Sequence, residues 1–294
     1  MLEGVRSPLV YTPRSVNEFA TIIARHPHAV IWAGGTYLMS RPQYYPSEAN
    51  DGIIDLAAME ELKRITRNDR YVEIGAMVTA GQLLSAGRLL LPSLLQQTLR
   101  TMGTQIVRRQ ITVGGSLCIE GERLSLATAL AILPATAEIK RFDGNKVTTH
   151  WVAISKLYDK EGVLTIADQP FLLTRIRIGL EFGDFQRFLL FGDAVRNPLE
   201  CGIVAFHAKR EQNGLSKAQF SVAFPRKAFH ISRDLESKLS GVALPIHPER
   251  VNTLSYELVA ELTKMHHAIS DLQLERVRRI FESFLHDLNS QSLS

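Results

Sequence analysis

Two glycine pairs, each after an apolar β-branched segment that predicts a strand, constrain this chain more than any other feature. The first lies in "VIWAGGT" (30–36) and the second in "ITVGGS" (111–116). Without a Cβ, glycine lets backbone amides approach a ligand closely, and a turn whose amides converge on one point binds phosphate. Thr36 and Ser116 follow the pairs and add hydroxyl groups. Two interpretations stay open: two tight turns in a sheet, or two loops that hold a diphosphate from opposite sides.

Neither loop has the sequence of a common nucleotide-binding motif. No Gly-Lys-Ser or Gly-Lys-Thr follows, which excludes a Walker loop, and the glycine spacing differs from G-x-G-x-x-G. A chain of this length contains about one or two Gly-Gly pairs by chance. The pairs alone therefore favour the two tight turns, and a bound nucleotide would require a different nucleotide-binding fold.

The bulk composition predicts a two-domain globular protein in the cytoplasm. The chain has 294 residues, of which 45% are hydrophobic and 22% are charged, and this length exceeds that of a typical single domain. It contains no apolar stretch of about 20 residues that could cross a membrane, and its start lacks the features of a signal peptide. The formal charge of +4 indicates a mildly basic surface, and we expect no nucleic-acid partner.

The reactive side chains predict neither a metal site nor a catalytic group on this chain. Cys118 and Cys201 are the only cysteines, too few for a four-cysteine iron–sulfur cluster. Cys118 is expected to be buried and inert. The nine histidines show no metal-ligand spacing, and no Ser-His-Asp, His-Glu-x-x-His or paired-carboxylate pattern is present.

Hydrophobic periodicity predicts mixed helices and strands, with helices concentrated at the end. Ser15 and Glu18 have the spacing of a capping box, and Asp143-Gly144 is typical of a hairpin turn. The polar segment 183–198 is interpreted as a domain junction, and an Asn213-Gly214 turn as the link between two later strands. The other predicted elements are a helix within 11–26, strands at 29–33, 52–56 and 71–79, a helix followed by a strand within 125–142, a strand at 171–182, and two helices within 250–288.

Several blocks in fixed order resemble one family, the FAD-binding subunits of the molybdenum hydroxylases, which include xanthine dehydrogenase and carbon monoxide dehydrogenase. The similarity extends nearly from end to end. The blocks are "YTPRSVNEFATIIARHPHAVIWAGGTYLM" (11–39), "IIDLAAMEELKRI" (53–65), "VEIGAMVTAGQLL" (72–84), "RRQITVGGSL" (108–117), "RNPLECGIV" (196–204) and "AISD" (268–271).

The resemblance implies an α+β fold with FAD as the cofactor. Its first part is a two-subdomain FAD-binding fold of the vanillyl-alcohol oxidase or PCMH-like type, expected over residues 1–182 with subdomains of about 1–58 and 59–182. A smaller α+β C-terminal domain is expected over 183–294. The cofactor-binding residues that the resemblance implies are Ala33, Gly34, Gly35, Thr36, Tyr37, Leu38, Thr112, Val113, Gly114, Gly115, Ser116 and Leu172.

Four positions depart from the family pattern. Tyr37 stands where Asp or Glu is frequent, Ser116 where Asn is usual, and Ser125 where an Asp helps to hold FAD. A basic residue that often precedes the C-terminal domain is absent near Gly192. These departures bear on FAD affinity and flavin orientation and leave the predicted fold unchanged.

The function implied by the resemblance is electron relay. FAD would take electrons from iron–sulfur clusters on a partner chain and pass them to NAD or another acceptor. The implied partners are a molybdopterin-binding large subunit and a 2Fe-2S small subunit. Two alternatives stay open, namely a non-catalytic scaffold subunit that binds FAD weakly or not at all, and a free-standing flavin oxidase of the vanillyl-alcohol oxidase class.

Overall fold

The computed structural model describes residues 8–41, 52–87, 90–120, 124–144, 146–193, 196–211 and 214–291. Its strands are β1 (Val10–Tyr11), β2 (Val30–Trp32), β3 (Ile53–Asp55), β4 (Ile65–Arg67), β5 (Tyr71–Gly75), β6 (Ala135–Asp143), β7 (Lys146–Ala153), β8 (Phe171–Gly179), β9 (Phe185–Phe191), β10 (Gly202–Glu211), β11 (Gly214–Phe224) and β12 (Ala228–Ser232). Its helices are α1 (Val16–Arg25), α2 (Thr36–Met39), α3 (Ala80–Ala86), α4 (Ser93–Thr101), α5 (Gln105–Arg108), α6 (Val113–Leu117), α7 (Ser125–Ala131), α8 (Arg233–Leu239), α9 (Pro248–Met265) and α10 (Asp271–Ser290).

The first layer is a three-stranded parallel sheet in the order β1-β3-β2, covered by α1. The Ser15 side chain accepts a hydrogen bond from the Glu18 amide and caps α1, as the sequence predicts. Phe19 and Ile23 on one face of α1 are buried together with Ile54 of β3. This small core places the end of β2, where the first glycine pair begins, beside the next layer.

The second layer is a five-stranded antiparallel sheet in the order β4-β5-β8-β6-β7. The Asp143-Gly144 pair lies where β6 gives way to β7, and Gly144 has a φ of 54°, which is typical of the predicted hairpin turn. Helices α3, α4, α6 and α7 contribute buried residues to the core beside this sheet. The second glycine pair lies in α6 and therefore belongs to this layer.

The last layer is a four-stranded antiparallel sheet in the order β12-β11-β10-β9, packed against α8, α9 and α10. Its central strand β10 is buried along most of its length. Ile203 and Ala205 of β10 join the core of the five-stranded sheet, whereas Val204 and Phe206 join the core under the terminal helices. One strand therefore contributes to two cores through its alternating side chains.

The structure corrects one expectation about a local element and adds a strand in a second segment. The segment before Gly114-Gly115 does not form a strand, because Thr112 caps a short helix that starts at Val113. The polar segment 183–198 contains strand β9, whose Phe185 and Phe188 are buried despite the polar residues around them. The Asn213 position of the predicted Asn213-Gly214 turn lies outside the described residues.

Long helices are confined to the C-terminal part of the described chain. Helices α9 and α10 span 18 and 20 residues. Within the described ranges, no helix combines the length and the apolar character needed to cross a membrane.

Candidate cofactor-binding site

Both glycine pairs open onto one cavity of about 640 Å³, in the size range of small-molecule sites. The cavity lies between the three-stranded sheet, the five-stranded sheet and the start of the C-terminal sheet. Of the residues predicted to bind a cofactor, those that line it are Ala33, Gly34, Gly35, Thr36, Tyr37, Leu38, Thr112, Gly114, Gly115, Ser116 and Leu172. Folding therefore brings together two loops that are separated by more than 70 residues of sequence.

The first loop presents backbone amides to this cavity. Gly35 precedes α2 with a left-handed φ of 69°, a conformation that glycine adopts without strain. No side chain caps α2, and the first amides of a helix have no partner within the helix. The start of α2, which has no side-chain cap, therefore lies at the cavity wall.

The two loops contact each other directly at the first glycine. A Cβ on Gly34 would lie 1.7 Å from the Gln110 carbonyl oxygen and 3.4 Å from Cγ2 of Thr112. A Cβ on Gly115 would lie 3.7 Å from the Cβ of Ala33. Gly34 is thus required by the approach of two backbone segments, whether or not a ligand is bound.

In the second loop the backbone amides already have partners. The Gly114 amide donates to the Ala76 carbonyl (2.8 Å), the Gly115 amide to Oγ1 of Thr112 (3.1 Å), and the Ser116 amide to the Thr112 carbonyl (3.0 Å). Val113 is buried in the core, and its amide donates to the Val78 carbonyl. Val113 does not line the cavity, so it supports the loop from behind.

We predict that Thr112→Val weakens the second loop. The valine has the same shape but cannot accept the Gly115 amide, so a nearly buried helix cap is lost. Loss of such a cap costs about 1 kcal/mol of the free energy of unfolding. Urea unfolding of the apoprotein measures this cost, and Thr112→Ser, which keeps the acceptor, should retain most of the stability. Equal stability of the valine variant and the native protein would contradict the prediction.

The cavity wall is largely apolar and carries hydroxyl groups. Ser116 and Ser125 line it while remaining 8% and 7% exposed, and Thr36 adds another hydroxyl. Within the described part of the chain, no Asp, Glu, Lys, Arg or His side chain lines the cavity. Such a wall suits flat aromatic rings and hydrogen-bonding oxygens, and leaves backbone amides as the groups that would face a phosphate.

Two side chains that could close the cavity leave it open. The Tyr37 ring lies at the wall, where Arg41 stacks on it at 4.6 Å and donates a hydrogen bond to its hydroxyl. The Glu120 carboxylate instead accepts a hydrogen bond from the Leu164 amide at 3.1 Å.

A buried tyrosine supports the helix that carries the second loop. The Tyr158 hydroxyl donates a 2.7 Å hydrogen bond to the Leu117 carbonyl at the end of α6. Burial raises the pKa of Tyr158 well above its usual value, and the neighbouring Cys118 and Glu120 add to this effect. The tyrosine therefore stays protonated at physiological pH and keeps donating this hydrogen bond.

Several lining residues have no signal in the local sequence. Leu190 reaches the cavity from β9, Thr101 from the end of α4, Met102 from the residue after it, and Val107 from α5. Cys118 also lines the cavity and is exposed, so the expectation that it is buried is wrong. Leu190 could be placed at the cavity only by the tertiary fold.

Comparison with known families identifies the chain. Residues 4–179, more than half of its length, match the FAD-binding domain in molybdopterin dehydrogenase. The chain belongs to this family. Its cofactor is therefore FAD, and the open cavity with uncapped amides on one wall and hydroxyl groups on another fits a dinucleotide of that kind.

Solved structures share the fold of this FAD-binding protein along nearly its whole length. Quinoline 2-oxidoreductase from Pseudomonas putida 86 matches with a TM-score of 0.76 and 19% identity, over 98% of this chain and 99% of that chain. Carbon monoxide dehydrogenase from Hydrogenophaga pseudoflava, lacking the Mo-pyranopterin moiety, matches with a TM-score of 0.75 and 16% identity, over 95% of both chains. Reconstituted CO dehydrogenase from Oligotropha carboxidovorans matches with a TM-score of 0.70 and 19% identity, over 97% and 96%.

These matches confirm the predicted α+β fold class, including the part that follows the FAD-binding region. No curated protein matches the chain. The domain bounds of 1–182 and 183–294, and the FAD contacts of the individual lining residues, stay predictions.

Proposed function

We propose that this chain is the flavin subunit of a heteromeric molybdenum hydroxylase and that it relays electrons from 2Fe-2S clusters on a partner chain to NAD or another acceptor. The observation that carries the proposal is the single cavity shared by the two glycine loops in a member of this FAD-binding family. Bound FAD supplies the redox chemistry, because it exchanges electrons singly or in pairs. The protein supplies the position and the surroundings of the cofactor.

Each part of the cavity wall has a proposed role. The amides after Gly35, with the Thr36 hydroxyl, hold the diphosphate, since the described wall offers it no cationic side chain. Thr112 fixes the second loop against the first, and Ser116 offers a hydroxyl to the cofactor. Leu172, which is 3% exposed, provides an apolar surface for the flavin ring. The wall excludes water from the cofactor and orients it.

The remaining redox groups are proposed to lie on partner chains. Two cysteines cannot ligate a four-cysteine cluster, which supports a 2Fe-2S small subunit as the electron donor. A molybdopterin-binding large subunit would carry out substrate hydroxylation, so this chain alone would not hydroxylate substrate. The cytoplasm is the proposed location of the complex.

The first experiment asks whether the purified chain holds flavin. We expect a yellow protein with the absorbance of oxidised flavin at about 450 nm, or an apoprotein that takes up added FAD. The second mixes the flavin-loaded chain anaerobically with its reduced 2Fe-2S partner and follows flavin reduction, and then adds NAD and follows formation of NADH.

The outcomes separate the relay from its alternatives. A colourless protein that does not take up FAD would favour a scaffold subunit. A flavin that the reduced partner cannot reduce would contradict the relay, whereas a reduced flavin that does not react with NAD would assign the electrons to another acceptor.

A further inference from the structure

One buried histidine fastens the start of strand β9 to the middle of the C-terminal sheet. His207 of β10 is 3% exposed and pairs with Gln186 of β9 on one side and Gln219 of β11 on the other. Its Nε2 accepts a 2.8 Å hydrogen bond from the Gly183 amide. This bond defines the protonation state of the ring, because a nitrogen that accepts an N–H cannot itself carry a proton.

The neutral ring must therefore carry its proton on Nδ1. That nitrogen is buried and has no hydrogen-bond partner within the described residues. Oε1 of Gln219, on the residue paired with His207 in β11, is likewise buried without a partner there. One of these atoms is a donor and the other an acceptor, and they lie on paired residues of neighbouring strands.

The bond from Gly183 is connected to the wall of the cofactor cavity through Gln186. Its Nε2 donates to the Gly183 carbonyl (2.8 Å), and its Oε1 accepts the Leu94 amide (2.8 Å) at the start of α4. Gln97 of α4 in turn binds the backbone of β9 at Gln186 and Phe188. The far ends of these two elements, Thr101 of α4 and Leu190 of β9, line the cavity.

Gly183 leaves no room for the strand to adjust. A Cβ at this position would lie 2.1 Å from the Ala208 carbonyl oxygen and 2.8 Å from Nε2 of His207. The backbone at Gly183 therefore packs directly on β10, and loss of the hydrogen bond would remove the only described partner of its amide.

We propose that neutral His207 is a positioning residue that holds β9 and α4 in place at the cavity wall, and that protonation of His207 releases them and weakens FAD binding. A proton on Nε2 would oppose the Gly183 amide donor to donor, so the ring would have to leave its site. The inference concerns retention of the cofactor and is independent of the electron acceptor.

The surroundings of His207 favour the neutral ring at physiological pH. Burial, and secondarily the Lys217 ammonium, lower its pKa from 6.5 to about 4, against the opposing effect of the Asp184 carboxylate, which itself pairs with Arg210. Among the elements that pack here, Lys217 lies on β11, Arg210 on β10 and Asp184 just before β9. Once the ring has left its buried site, its pKa returns to the ordinary value. The released form therefore binds a proton more readily than the buried form, and lower pH favours release.

The size of the effect follows from this difference in proton affinity. Between about pH 7.5 and about pH 5, the equilibrium for release should rise roughly 30-fold. Peptide-resolved amide hydrogen exchange of the apoprotein, corrected for the intrinsic effect of pH, should show protection around Gly183 falling by that factor. Saturating FAD should raise protection around Gly183 at about pH 5, because a ligand that binds only the form in which His207 holds Gly183 lowers the population of the released form.

Two variants test the assignment to this one histidine. His207→Gln keeps an acceptor for the Gly183 amide but cannot titrate, so the pH dependence of protection should flatten. His286→Gln, at an exposed histidine of α10, should keep it. Protection around Gly183 that does not change with pH in the native protein would overturn the role of His207, and protection at about pH 5 that saturating FAD leaves unchanged would overturn the coupling of this bond to the cavity. The native-protein measurements decide the matter even if His207→Gln does not fold.

Discussion

Replacing Gly34 with alanine is expected to weaken FAD binding by about ten- to a hundredfold. The new methyl group would lie 1.7 Å from the Gln110 carbonyl oxygen, a backbone atom that cannot rotate away, so the two loops must separate. Overpacking of this kind costs about 1–3 kcal/mol, and here the cost falls on the contact that brings the loops to one cavity. FAD titration of the apoprotein, followed by flavin fluorescence, measures the loss.

The control is a glycine whose surroundings have space. Gly144 also lies in a turn, has a φ of 54° and would place a Cβ with nothing within 4 Å. Asparagine tolerates that backbone conformation, so Gly144→Asn should bind FAD like the native protein. A Gly34→Ala variant with native affinity and native thermal stability would show that the two loops need not touch.

Phe206→Ala should cause the largest loss of stability, about 3–5 kcal/mol of the free energy of unfolding. Phe206 is fully buried in the C-terminal core, where its ring centroid lies 6.0 Å from those of Phe281 and Phe284 and 5.8 Å from that of Phe185. Alanine leaves a cavity among rigid rings that cannot collapse into it. The midpoint of urea unfolding should fall accordingly.

Two controls separate the loss of core packing from other effects of the Phe206→Ala substitution. Leu272→Ala, at a half-exposed position of α10 (52% exposed), should change stability by no more than about 0.5 kcal/mol. Because Phe206 does not line the cavity, the folded fraction of Phe206→Ala should bind FAD with native affinity. A stable alanine variant, or a folded one that has lost FAD, would contradict this picture of the core.

The sequence predicted best those elements whose signals are local. Ser15 before an apolar period locates the start of α1, and Asp143-Gly144 locates a hairpin, because each motif stabilises its turn through neighbouring atoms. The segment "ITVGGS" was interpreted wrongly, since its β-branched residues favour a strand whereas the Thr112 hydroxyl stabilises a helix start. In this segment a side-chain cap outweighed β propensity.

The cavity itself could be predicted only in part. Most residues assigned from the family blocks do line it, yet no local pattern distinguishes Leu190, which reaches it from a strand of the third layer. No local pattern predicts that the amides of the second loop have hydrogen-bond partners, because the partners of Gly114 and Gly115 depend on Ala76 and the turn of α6. Such features arise from contacts between distant segments.

The shared strand β10 has a consequence for expression of shortened forms. Ile203 and Ala205 face the same core as the five-stranded sheet, and Ser221 of β11 donates to the buried Thr128 carbonyl of α7. A fragment that stops before residue 183 lacks β10 and β11, so it would expose to solvent the apolar surface that these strands cover. We therefore expect such a fragment to precipitate rather than to fold as an independent nucleotide-binding domain. The C-terminal part of the chain keeps the preceding part soluble by covering this apolar surface.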